Sequence, residues 1–136
     1  MKPRLFLEPA RDLVAGPTEA HRRSAAGRAY YAAFQEARAA LERWSVVIPA
    51  RESIHAAVRL RFLYAGDADA QEIGRCLDDL VKLRNEADYQ LASPGSFRDV
   101  GEAETAIDNA VALIDLLDAI EADATRRAGV IASIRP

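Results

Sequence analysis

The chain has 136 residues, half of them hydrophobic and 29% charged, with a formal net charge of −3; that is enough for one ordinary core and too little for two, so residues 1–136 are expected to form a single domain. No run approaches the roughly 18 consecutive apolar residues of a membrane span, and the opening MKPRLFLEPARDL acquires Glu8 and Asp12 too early for a signal peptide, which predicts a cytoplasmic protein without a membrane partner. A single cysteine, Cys76, excludes an internal disulfide and, beside Leu77 on an apolar face, reads as a small buried hydrophobe.

Ala, Leu, Arg, Asp and Glu dominate the composition, which points to an all-α protein of four to five helices. A short first helix is expected over 5–14, with Pro9 tolerated only near its first turn, and Gly16-Pro17 ends it. Thr18 is the expected N-cap of a long second helix, 18–45, that stops before VVIPA. The third helix runs over 51–65 and ends at Gly66. Asp69 with Glu72 has the spacing of a capping box opening a fourth helix over 69–91. SPGS, 93–96, is a turn, and Asp99 with Glu102 repeats the device for a fifth helix over 100–126. There Val100, Ala103, Ile107, Ala110, Ile114, Leu117 and Ala124 keep close to heptad spacing, so this helix should lie along a long neighbour. The core is expected within about 5–125; the tail, 126–136, has no such register.

Charge is unevenly spread. Residues 1–68 carry 11 Lys and Arg against 7 Asp and Glu, whereas residues 69–136 carry 7 against 14. A basic first half suits phosphates or an acidic partner, and it equally suits pairing between helices of the two halves.

Two irregularities carry the functional information. In LVKLRNEADYQL, 80–91, projection at 100° per residue puts Ile73, Leu77, Leu80, Ala87 and Leu91 on one face, with Arg84 near its centre and Asp88 at its edge. Arg84 is therefore expected to be withdrawn from water and neutralised by Asp88 one turn on, because an unpaired buried charge is costly. In the second helix Tyr30, Phe34, Ala37, Leu41 and Trp44 form the apolar stripe, while Ser24, Arg28, Tyr31, Gln35, Arg38 and Glu42 form a polar row with Ala25, Ala29, Ala32 and Ala39 beside it. That row is either a solvated face with i,i+4 charge pairs or a seam facing Arg84 and Asp88, or a second subunit.

With these residues in view, RRSAAGRAYYAAFQEARAAL (22–41), SIHAAVRLRF (53–62) and LVKLRNEADYQL resemble the three segments of the HEPN superfamily (higher eukaryotes and prokaryotes nucleotide-binding), in its small bacterial branch with an R-x-x-A-D-Y motif. The resemblance spans roughly 5–125. It implies an up-and-down helical bundle, a homodimer, and a place beside a minimal nucleotidyltransferase antitoxin in a toxin–antitoxin or phage-defence module. Many such proteins are metal-independent ribonucleases, in which an Arg and, after four to six intervening residues, a His form a composite site at the dimer interface.

Arg84 matches that Arg, but the places for the His hold Tyr89, Gln90 and Leu91. Cleavage through the ribose 2′-hydroxyl needs a base and an acid that titrate near neutrality as well as a cation, and a tyrosine hydroxyl is a poor base there. Of the two histidines, His21 opens the second helix and is expected to be exposed. His55 lies on the flank of the third helix's apolar face and is the candidate to stand in as catalytic base beside Arg84. Tyr89 lies about 140° around its helix from Arg84, so one straight helix should not aim both at one point. By analogy with superfamily toxins whose motif tyrosine is adenylylated by the cognate nucleotidyltransferase, an outward Tyr89 would suit modification or partner contact.

Two distant histidines and one cysteine make no metal site, and no phosphate-loop, dinucleotide-binding or nucleophile-elbow motif implies a cofactor. Two readings follow. One is a degenerate ribonuclease of a toxin–antitoxin or defence module, with Arg84, Asp88, Arg28 and Tyr31 in one buried polar cluster and RNA or a nucleotide as ligand. The other is a non-enzymatic module that uses the cluster for dimerisation or for nucleotide or partner binding.

Overall fold

The protein is described here from a computed structural model covering residues 1–92 and 95–135. Six α-helices follow a 3-10 turn at Pro3–Phe6: α1 (Leu7–Val14), α2 (Glu19–Arg43), α3 (Ile54–Leu63), α4 (Ala68–Tyr89), α5 (Gly101–Glu121) and α6 (Ala124–Ser133). The all-helical class holds, with one helix more than the pattern suggested. There is no strand among the described residues. No described helix is long and apolar enough to cross a membrane.

The long α2 is central, with α1, α4 and α5 packed against it, α3 packed on α4 and α6 on α5. Its stripe explains why: Tyr30, Phe34, Ala37, Leu41 and Trp44 are buried, and so are Ala25, Ala29 and Ala32, whose small side chains let neighbours approach closely. The heptad line of α5 supplies the matching surface through Ala103, Ile107, Ala110, Ile114 and Leu117. At the α3–α4 crossing, a Cβ on Gly74 would lie 2.5 Å from the backbone of Leu63. Gly74 thus permits the approach that fixes where α3 delivers His55.

Helix ends differ from the spacing-based reading in instructive ways. Thr18 caps α2 as expected, accepting from the His21 amide. The N-cap of α4 is Asp67, which accepts from the amides of Asp69 and Ala70, so Asp69 is freed to receive Arg126. Before α5, Asp99 accepts from the Gly101 amide while Glu102 reaches back to the Phe97 amide, two residues beyond a capping box. The last helix is broken earlier than its heptads imply: α5 ends at Glu121, and Asp123 starts α6 by accepting from the amides of Thr125 and Arg126. The tail without register is therefore helical as far as Ser133, anchored by buried Val130 and by the Gly66 amide donating to the Ser133 carbonyl. The first half of the SPGS turn, residues 93–94, lies outside the described residues; Gly95 follows with φ of +85°.

Among the described residues the buried charges are Arg23 and Glu36, neither of which stood out in the sequence. Glu36 accepts from the Arg4 amide at 2.9 Å and from its guanidinium, whose other edge meets Asp118 at 2.8 Å. Asp118 first, then Glu36, raises the Arg4 pKa. This knot ties the 3-10 turn to α2 and α5.

Candidate phosphate-binding groove

Arg84 leaves the last turns of α4 on its flank rather than at the centre of its buried face. Leu80 and Ala87 on either side in sequence are buried, yet the Arg84 side chain is 31% exposed and Asp88 42%. The expected pair exists, Arg84 Nε to Asp88 Oδ2 at 3.2 Å, but the expected burial does not. The reason lies on α2, where Ser24 and Gly27 are too small to cover the guanidinium and leave a groove of about 370 Å³. Leu91, placed on the same face by projection, lies beyond the end of α4 and is exposed.

Ser24, Gly27, Arg28, Tyr30, Tyr31, His55, Arg84 and Asp88 line this groove. Arg28, Tyr31 and Asp88 are brought together with Arg84 as the sequence suggested, around an open groove and not as a buried cluster. The rest of the polar row behaves as a solvated face, with Arg38 and Glu42 forming an i,i+4 pair. His55 reaches the same groove from α3. Its ring stacks on Phe34, centroids 4.1 Å apart, and its Nδ1 lies 2.7 Å from the Tyr30 hydroxyl.

Arg84 is held between aromatic faces. Its guanidinium carbon lies 5.5 Å from the Tyr30 ring centroid and 5.8 Å from that of Tyr89, within cation–π range. Arg84 and Tyr89 thus meet despite the 140° between them on the helix. Tyr89 remains 71% exposed. Arg84 Nη1 donates to the Asn85 side chain at 3.2 Å, whereas Nη2 has no partner among the described residues.

Burial, then Arg84 and Arg38, hold the His55 pKa below its usual 6.5. Burial pushes the Tyr30 phenol up, partly opposed by Arg84 and Arg59. At neutral pH both rings are therefore uncharged, and the groove's charge comes from Arg28 and Arg84 against Asp88.

The other sequence candidates stand apart. His21 sits at the start of α2 with Nδ1 2.5 Å from Thr18 Oγ1, away from the groove. Burial raises the Cys76 pKa, with Glu72 adding to it, which suits an unreactive thiol. Among the described residues no group of three or more His, Cys, Asp or Glu side chains is placed to hold a metal ion.

A clamp missed by the sequence reading holds this end of α4 in place. Arg23 donates from Nη1 to the carbonyls of Glu86 (2.8 Å) and Ala87 (3.0 Å) and from Nη2 to that of Gln90, and lies over the Phe97 ring. It satisfies the Ala87 and Gln90 carbonyls, for which the helix end supplies no backbone donor, and adds a second donor to that of Glu86, which also accepts from the Gln90 amide, at the end where positive charge is favoured. Arg23 sits one heptad before Tyr30 on the stripe that continues through Ala37 and Trp44. That break in the stripe was the available signal.

A helical bundle with an arginine-centred groove at one end of α4 is the class these features define. The HEPN domain profile matches residues 5–120, and the chain belongs to the HEPN family. Comparison with curated proteins and with solved structures finds no match.

Proposed function

We propose that the chain is the HEPN component of a toxin–antitoxin or defence-type module, working as a homodimer with a nucleotidyltransferase antitoxin, and that its groove holds phosphate of RNA or a nucleotide. The observation that carries the ligand is the convergence of Arg84, Arg28 and His55 on one open groove, with Arg84 Nη2 unengaged. A guanidinium offers a planar fork that matches phosphate oxygens. Exposed Tyr31 and Tyr89 beside it supply faces on which bases stack. Module, antitoxin and dimer rest on family membership, and the exposed Tyr89 suits modification or contact with such a partner.

The groove is a degenerate form of the family's ribonuclease site, since the motif places for histidine hold Tyr89, Gln90 and Leu91. One observation favours retained metal-independent cleavage: His55, 29 positions before Arg84, lines the same groove. Fluorescence anisotropy with a short single-stranded RNA, in chelator and with product analysis, tests both. Arg84→Ala should weaken binding by about tenfold or more, as expected for losing a charged hydrogen bond, with little cleavage by the parent chain. Unchanged binding would end the phosphate reading. Rapid cleavage that Arg84→Ala and His55→Gln both abolish would instead establish the enzyme.

A further inference from the structure

His55 has two ring nitrogens, and which one carries the proton decides what it offers a ligand. Nδ1 is 2.7 Å from the Tyr30 hydroxyl. Nε2 has no partner among the described residues and is not a buried unpartnered atom, so it reaches the groove that His55 lines. The Tyr30 hydroxyl has no other hydrogen-bond partner among the described residues, and its residue is only 4% exposed. Phe34 holds the imidazole plane at 17° to its own, and a flipped ring would put carbon against the hydroxyl.

We infer that Tyr30 is a positioning residue that donates its hydroxyl proton to His55 Nδ1 and so locks the imidazole with its own proton on Nε2, facing the groove as a hydrogen-bond donor. A phenol is a stronger acid than a neutral imidazole N–H, so O–H to N is the favoured direction for this pair. The raised Tyr30 pKa keeps that proton available, and the lowered His55 pKa keeps the imidazole neutral at physiological pH. In this state Nε2 donates to a phosphate oxygen and cannot take the 2′-hydroxyl proton. On the phosphate-binding reading, on which this consequence rests, the same lock that supplies a third donor withholds the base that cleavage needs.

Arg84 and Asp88 from α4, Arg28 and Arg38 from α2 and Arg59 from α3 are charged groups around this pair. Asp88 is paired with Arg84 Nε, and among the described residues no carboxylate meets either ring nitrogen. Apart from the Tyr30 hydroxyl itself, no hydrogen-bond acceptor meets Nδ1 among the described residues.

The test is the nitrogen chemical-shift signature of the histidine side chains in the full, isotopically labelled chain above pH 6.5, with His55→Gln assigning the resonance against His21. The expected pattern is a protonated, pyrrole-type Nε2 with a pyridine-type Nδ1. In Tyr30→Phe, which keeps the ring and removes the hydroxyl, the two shifts should move towards each other as both tautomers are sampled. A parent chain with the proton on Nδ1, or already averaged, overturns the inference, as does a Tyr30→Phe pattern identical to the parent. Should Tyr30→Phe not fold, the parent spectrum alone decides. Loss of the RNA-binding reading would leave the spectrum unchanged, so the two fail separately.

Discussion

Two arginines meet the C-terminal turns of α4 from opposite situations. Arg23 comes from α2, is 6% exposed, and has an acceptor at each of its three nitrogens: Glu19 for Nε, and the carbonyls of Glu86, Ala87 and Gln90 for the others. Arg84 belongs to α4 itself, is half-buried, lines an open groove, and among the described residues has partners at Nε and Nη1 but no hydrogen-bond partner at Nη2. A guanidinium withdrawn from water needs every donor satisfied, so the saturated one serves the fold. The unsaturated, accessible one retains capacity for a ligand. The pair thus separates structural from functional charge within one helix end.

The largest expected effect falls on the saturated side. Arg23→Ala leaves the Ala87 and Gln90 carbonyls at the end of α4 without their donor and should cost about 3 kcal/mol in chemical denaturation; a loss under about 1 kcal/mol would mean water replaces the clamp readily. Glu36→Gln should follow at about 2 kcal/mol, since a buried carboxylate that accepts from the Arg4 amide and guanidinium is replaced by an amide that cannot accept the whole set. Equal stability there would remove Glu36 from the structural class.

Arg84→Ala should cost no more than about 1 kcal/mol, the scale of a partly exposed i,i+4 pair. A loss matching that of Arg23→Ala would erase the distinction between the two arginines. The smallest effect concerns pH. Because burial holds the His55 pKa below 6.5, the folded chain takes up fewer protons than the unfolded one as pH falls past that value. Stability linked to His55 is therefore complete above 6.5 and is lost on acidification through the window below it. Denaturation midpoints of the parent should drop relative to His55→Gln in that window; parallel curves would show that His55 titrates alike in both states.

Much of this was legible because it is local. Thr18 as a cap, the stripe from Tyr30 to Trp44 and the α5 heptads from Ala103 to Leu117 depend on residues within a few turns, and they hold, whereas Val100 and Ala124 at the ends of that line fall outside α5 and are exposed. The Arg84–Asp88 pair was legible for the same reason. Its exposure was not, because a helical projection knows one helix and cannot see that Ser24 and Gly27 of α2 leave the guanidinium uncovered. The approach of His55 to Tyr30 depends on α3 crossing α4 at Gly74 against Leu63, a contact that no spacing within one segment encodes. The early end of α5 turned on Asp123, whose capping of α6 outweighed the continuing heptad register. Arg23 and Glu36 were readable in principle: Arg23 interrupts an apolar heptad line, and Glu36 lies among Ala29, Ala33 and Ala40, all buried. Only the partners that satisfy them were hidden.

The central claim, that Arg84 is there for a phosphate and Arg23 for the fold, is tested most directly by the salt dependence of single-stranded RNA binding. Each phosphate contact contributes about 0.7 to the slope of log affinity against log salt. Arg84→Ala should lower that slope by about this amount while the variant stays folded. An unchanged slope in folded Arg84→Ala would show that Arg84 meets no phosphate and contradict the account.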